Sequence, residues 1–133
     1  MDRFDLSNKV ALVTGAAGLL GIEHVHALLE SNAIVVMTDI DETSLKEAYD
    51  SLISDDNCDR LICKIMDVTS KESIQDIAND LKKEDMFVDI LVNNAAIDPK
   101  VKKNSIKETS RLENFDLIDW DFQLKVGLTG AML

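Results

Sequence analysis

Val10-Ala11-Leu12-Val13-Thr14-Gly15-Ala16-Ala17-Gly18-Leu19-Leu20-Gly21 is an apolar, β-branched run that passes without a break into a glycine-rich turn and then into a helical pattern. It reads as a strand, a phosphate loop and the N-terminus of a helix. Glycines at 15, 18 and 21 serve three needs: a tight turn, close approach of backbone N–H groups to an anion, and close packing of the helix on the strand. The helix start adds unpaired N–H groups and the positive end of its dipole, so a pyrophosphate is the natural occupant.

Working outward, the first strand covers residues 9–14 and a helix follows from 20 to about 32, with Ile22, Val25, Leu28 and Leu29 on one face. A second strand at 33–38, Ala33-Ile34-Val35-Val36-Met37-Thr38, is too apolar throughout to have one face in water. Asp41-Glu42-Thr43-Ser44 opens a second helix that runs to about 54, with acidic residues in the first turn where the dipole favours them. Residues 60–66 read as a third strand, and Thr69 or Ser70 caps a third helix to about 84. Residues 86–92 make a fourth strand, and a fourth helix is expected from Asp116 onward through Trp120, Leu124 and Leu128. Between them, Ile97 to Glu113 with its basic cluster Pro99-Lys100-Val101-Lys102-Lys103 reads as a mobile, solvated surface loop. Strands alternating with amphipathic helices are the βαβ rhythm of a parallel sheet covered on both faces.

Composition narrows the partners. The 133 residues are 46% apolar and 29% charged, which suits a single globular domain, and the formal net charge of −11 argues against nucleic acid or an anionic membrane surface. That charge does not forbid a dinucleotide, whose phosphates are met by backbone dipoles. No apolar run approaches 18 residues and no basic-then-apolar leader begins the chain, so a cytoplasmic protein is expected. Cys58 and Cys63 match no metal-ligand spacing and read as reduced thiols, Cys63 buried in its strand. His24 and His26 project about 200° apart on a helix and do not converge on one metal.

Asp39 stands 18 residues after Gly21, at the tip of the second strand. A carboxylate there accepts hydrogen bonds from both ribose hydroxyls of an adenosine and repels a 2′-phosphate, and neither Ile40 nor Asp41 supplies a cation to reverse the preference. NAD is therefore expected over NADP. Taken with Asp67-Val68 and Asn93-Asn94-Ala95-Ala96, the glycine loop and Asp39 resemble the N-terminal half of the short-chain dehydrogenase/reductase family, and the resemblance covers essentially the whole sequence. It implies an α/β Rossmann-type doubly wound parallel sheet with strand order 3-2-1-4. It also implies that Gly15, Gly18, Leu20 and Gly21 cradle the pyrophosphate and that Asp39 and Ile40 meet the adenosine ribose. Asp67 and Val68 would meet the adenine, and Asn94, Ala95 and Ala96 would line the path to the nicotinamide, with Asn93 bracing the central strands.

Three departures accompany the resemblance. The middle glycine falls at 18, a placement common in the sugar-nucleotide epimerase branch, whereas the double asparagine favours the single-domain oxidoreductases. Gly127 sits where the family usually carries the asparagine of its catalytic tetrad. The family's tyrosine and the lysine four residues after it are absent too, since the one tyrosine, Tyr49, is followed by Ile53. The expectation is a cofactor platform without catalytic residues of its own, truncated before the tyrosine–lysine segment and inactive alone. Its parent would be an NAD-dependent oxidoreductase acting on a small alcohol or ketone. A non-catalytic dinucleotide-binding module and a sugar-nucleotide epimerase or dehydratase are the alternatives. The fourth strand has the character of an interior strand placed at an open edge, so a homo-oligomer formed through this strand and the fourth-helix region is expected.

Overall fold

The computed structural model describes residues 4–97, 113 and 115–133. Four parallel strands, β1 (Val10–Thr14), β2 (Ile34–Asp39), β3 (Leu61–Ile65) and β4 (Ile90–Val92), lie in the order β3-β2-β1-β4. Helices α1 (Leu19–Glu30), α2 (Glu42–Leu52) and α3 (Lys71–Lys83) connect them. The last helix, α4 (Leu117–Leu124), passes into a π-helical segment (Lys125–Thr129) and a final short turn (Gly130–Met132). This is the expected doubly wound sheet with its 3-2-1-4 order. The surface loop expected between Ile97 and Glu113 lies outside the described residues apart from those two ends.

Alternation along the strands divides the core between the two faces. Ala11, Val13, Val35, Met37 and Leu61 point to one side and pack with Val25 and Leu29 of α1 and Leu45 and Ala48 of α2. Val10, Leu12, Val36 and Met66 point to the other and pack with Ile77 and Leu81 of α3. β1 and β2 are buried on both faces, which is why their sequences read as continuous apolar runs.

Helix ends follow the sequence closely. Asp41 caps α2 by accepting from Ser44 N–H at 2.7 Å, and Ser70 caps α3 by accepting from Ser73 N–H at 3.2 Å. After α1, Asn32 takes a left-handed φ of 66° and its N–H donates to the Leu29 carbonyl, while Ala33 N–H donates to Leu28. Asp85, at φ 57°, does the same after α3, with Met86 N–H donating to Leu81. Both are Schellman closures, and asparagine and aspartate are among the few side chains that tolerate them.

Cys63 departs from expectation: it is exposed, as is Cys58. It shares a face with buried Leu61, but β3 is an edge strand and cover fades along it, so that Ile65 is exposed as well. The fourth strand is also shorter than expected, three residues rather than seven. Its start is tied by Asp89, whose Oδ1 accepts from the Lys9 ammonium at 2.8 Å and whose Oδ2 accepts from Val10 N–H at 3.0 Å. No strand among the described residues pairs the outer edge of β4, and Leu91 is 57% exposed. No helix among them is long and apolar enough to cross a membrane.

Two glycines test the packing in opposite directions. A Cβ at Gly21 would run into the Gly15 carbonyl oxygen and stand 2.7 Å from Ala16 Cα, backbone that has no room to yield. A Cβ at Gly127, in the π-helical segment, would meet nothing within 4 Å. Gly21→Ala is therefore expected to destabilise by about 1–3 kcal/mol, the scale of overpacking. Gly127→Ala is expected to stabilise by about 0.5–1 kcal/mol, the usual helix-interior difference. Urea denaturation of both variants checks the contrast, and equal signs would contradict it.

A second prediction concerns acid. The Lys9 ammonium, with help from Val10 N–H, holds the Asp89 carboxyl below its ordinary value. A carboxyl that binds its proton less readily when folded adds stability above the ordinary carboxylate range and loses it as pH falls through the lowered value. The melting-temperature gap between wild type and Asp89→Asn should thus be widest near neutrality and close on acidification; a gap that grew in acid would contradict the assignment.

Candidate functional site

All four strands point their C-terminal ends at one crevice, which opens where the chain leaves β1 toward β2 on one side and β4 on the other. Such a switch point is where open parallel sheets bind ligands. Gly15 makes the exit from β1 with a φ of 63°, and a Cβ there would stand 2.8 Å from Ala95 Cα. Only glycine takes both the left-handed turn and the close approach of the two chain segments.

The loop is then stitched to the tip of β2. Ala16 N–H donates to the Thr38 carbonyl at 2.9 Å, and Ala17 N–H donates to Asp39 Oδ2 at 3.1 Å. Gly18 is the N-cap of α1 in an extended conformation, and no side chain caps this helix. The first-turn amides of Leu19, Leu20 and Gly21 have no acceptor within the helix, so the positive end of α1 is left open toward the crevice. At α2, α3 and α4 the capping side chains of Asp41, Ser70 and Asp116 fill the same position.

A clamp holds β1 and β4 together at the switch point. Thr14 Oγ1 accepts from Asn94 N–H at 3.1 Å and from Ala95 N–H at 3.0 Å. In return Asn94 Nδ2 donates to the Thr14 carbonyl at 3.1 Å and the Gly15 carbonyl at 2.9 Å. The bracing expected of Asn93 is thus made by Asn94, while Asn93 is exposed and reaches the Ala131 carbonyl at 3.5 Å.

The crevice has a volume of about 570 Å³. Gly15, Gly18, Leu20, Asp39, Ile40, Asp67, Val68, Asn94, Ala95 and Ala96 all line it, and Gly21 lies buried beneath the loop. Asp39 is half-buried; its second oxygen, Oδ1, accepts from Asp41 N–H at 3.2 Å. Asp67 turns one oxygen onto Thr69, accepting from its N–H at 2.8 Å and its hydroxyl at 2.7 Å. Sequence reasoning missed Phe122 and Val126, which close the crevice from the last helix. Their four-residue spacing puts them on one helical face, a signal that shows an apolar stripe but not what it faces. Gly130 brings the end of this helix close to Val68, where a Cβ would meet the Val68 carbonyl oxygen at 3.0 Å.

The family model for short chain dehydrogenases matches residues 9–133. The chain belongs to the short-chain dehydrogenase/reductase family. It is 33% identical over 131 residues to the short chain dehydrogenase/reductase dpfgG of Gibberella zeae, covering 96% of this chain and 43% of that protein. Similarity to the NAD-dependent glycerol dehydrogenase of Listeria innocua reaches 30% over 130 residues, 98% of this chain and 46% of that one. Among solved structures, the 3-ketoacyl-(acyl-carrier-protein) reductase of Brucella melitensis complexed with NADH superposes with a TM-score of 0.77 at 25% identity, over 97% of this chain and 48% of that one. The chain spans a little under half the length of these relatives.

Thr14→Val keeps the shape of the side chain while leaving the N–H groups of Asn94 and Ala95 without their acceptor. A loss of about 1–3 kcal/mol is expected, the penalty for orphaned donors in a partly buried site. Denaturant titration of the variant measures it.

Proposed function

We propose that these residues form the dinucleotide-binding part of an NAD(H)-dependent oxidoreductase that moves a hydride between nicotinamide and a small alcohol or ketone. The observation that carries this reading is the crevice itself, where an uncapped helix N-terminus and a carboxylate with no lysine or arginine beside it among the described lining residues face one cavity. The loop at Gly15 and Gly18 and the amides of Leu19 and Leu20 would meet the pyrophosphate, with Gly21 packed beneath them, and Asp39 would accept the adenosine ribose hydroxyls. Ile40 would stand with Asp39 at the ribose, Asp67 and Val68 would meet the adenine, and Asn94, Ala95 and Ala96 would border the path to the nicotinamide. Bound there, the nicotinamide ring supplies or takes up the hydride. The NAD-dependent relative in Listeria and the NADH complex in Brucella support the choice of cofactor.

Proton transfer needs residues that these 133 do not contain. Tyr49 lies half-buried on α2 against the core, with Ile53 four residues on, and Gly127 carries no side chain to relay a proton. We therefore propose that this sequence by itself binds cofactor without turnover. Gly127 equally favours a second reading, a dinucleotide-binding module with no catalytic role. The exposed apolar residues Leu91, Leu117, Ile118 and Leu128 support self-association through β4, α4 and the π-helical segment after it, which sedimentation measures directly.

Titration calorimetry with NAD and with its 2′-phosphorylated counterpart tests the central claim. NAD should bind more tightly, and Asp39→Ala should weaken it by about 1–3 kcal/mol, the scale for a lost charged hydrogen-bonding partner. Equal affinity for the two cofactors contradicts the role given to Asp39. Hydride transfer by the purified 133-residue chain above background would overturn the claim of binding without turnover.

A further inference from the structure

Asp39 is the side chain on which the choice of cofactor rests, yet its carboxylate is already engaged by the protein. Oδ2 accepts from Ala17 N–H in the glycine loop at 3.1 Å, and Oδ1 accepts from Asp41 N–H at 3.2 Å. A carboxylate offers about four acceptor positions, so about two remain, one for each ribose hydroxyl. The bond to Ala17 is the second of two consecutive ties from the loop to β2, following that from Ala16 N–H to the Thr38 carbonyl. The first tie is backbone to backbone and does not depend on the side chain at 39; the second does. Beyond Ala17 the loop has one more internal bond, Gly18 N–H to the Gly15 carbonyl at 3.1 Å, before α1 begins.

From this geometry we propose that Asp39 is a positioning residue as well as a ribose acceptor. By holding Ala17 N–H, its carboxylate sets the conformation of the glycine loop, so that one side chain couples recognition of the ribose to recognition of the pyrophosphate. The idea rests on the dinucleotide-binding reading for its ligands, but the loop contact stands independently of it. A substitution at 39 that alters ribose preference then also alters how the loop presents its amides, unless the new residue keeps an acceptor in the same place. Affinity should change even for a ligand that has no ribose.

The experiment compares the wild-type chain with Asp39→Asn and Asp39→Ala, using amide exchange at Ala17 by NMR and titration with inorganic pyrophosphate. Both variants lose the charge and only asparagine keeps an acceptor oxygen, so exchange read at Ala17 and at Asp41, the two amides that Asp39 holds, separates the bond to Ala17 from the bond to Asp41. Exchange at Ala17 should stay near wild type in Asp39→Asn and be about tenfold faster in Asp39→Ala, as for an amide freed from its local bond. The pyrophosphate dissociation constant should be about threefold larger for Asp39→Ala than for Asp39→Asn, the cost of a less organised loop. A general loss of stability would speed exchange across α1 and β2 alike; the proposal requires the change to be confined to the loop. Should Asp39→Ala fail to fold, Asp39→Leu, close to asparagine in shape and without an acceptor, takes its place. Equal exchange at Ala17 in the acceptor and non-acceptor variants overturns the proposal, as does equal pyrophosphate affinity or no pyrophosphate binding to wild type. An NAD titration separates the two readings: NAD binding with an indifferent loop sinks the coupling alone, and a responsive loop without NAD binding sinks the dinucleotide reading alone.

Discussion

The left-handed turn at Gly15 is the constraint on which the rest of the molecule depends. It lets β1 end abruptly, turns the chain back over the tip of the sheet, and brings the loop within van der Waals distance of Ala95 at the exit of β4. The Thr14–Asn94 clamp fixes this crossing from the other side, with the Asn94 amide bonded to the carbonyls on either side of the turn. Gly21 belongs to the same construction, because the helix is able to start so close to the strand only without a Cβ there. Strand, loop, helix and neighbouring strand are therefore one rigid corner, and the crevice is the space it leaves.

That corner accounts for how a chain with a formal net charge of −11 would hold the anion proposed for the crevice. Among the described residues that line it, the crevice offers backbone amides rather than lysine or arginine. Where other helices close their first turn with their own aspartate or serine, α1 begins at a glycine and leaves its amides to a ligand. Leaving donors unmet costs stability, and a site shaped to receive an anion is a physical reason for the cost to persist. The acidic surface then acts against non-specific polyanions without opposing a ligand held at the helix terminus.

Much of this was legible in the sequence because the determining interactions are local. A β-branched run leading into glycines at 15, 18 and 21 leaves few alternatives to strand, turn and helix, since each glycine answers a backbone need within a few residues. Asp41 announced the start of α2 and the Thr69-Ser70 pair that of α3, and the apolar β2 announced a strand buried on both faces. Asp39 was legible for the same reason: its position follows from where β2 must stop. Of the residues assigned to the crevice beforehand, Gly21 alone does not line it, and it lies directly beneath the loop.

Tertiary structure decided what depends on distant segments meeting. Cys63 sits in an apolar strand and reads as buried, but only the finished sheet shows that β3 is an edge and that helix cover fades before reaching it. Phe122 and Val126 carry no sequence signature of a binding wall; they become one when the last helix settles against Val68 through Gly130. The bracing of the strands by Asn94 in place of Asn93 is of the same kind. Successive residues leaving a strand point to opposite sides, and only the position of β1 decides which of them reaches Thr14. The sequence by itself determined the corner and its chemistry, because propensity and turn geometry act over a few residues. The walls of the crevice and the tie from Asp39 to the glycine loop are set by contacts across 22 or more positions, which no local pattern encodes.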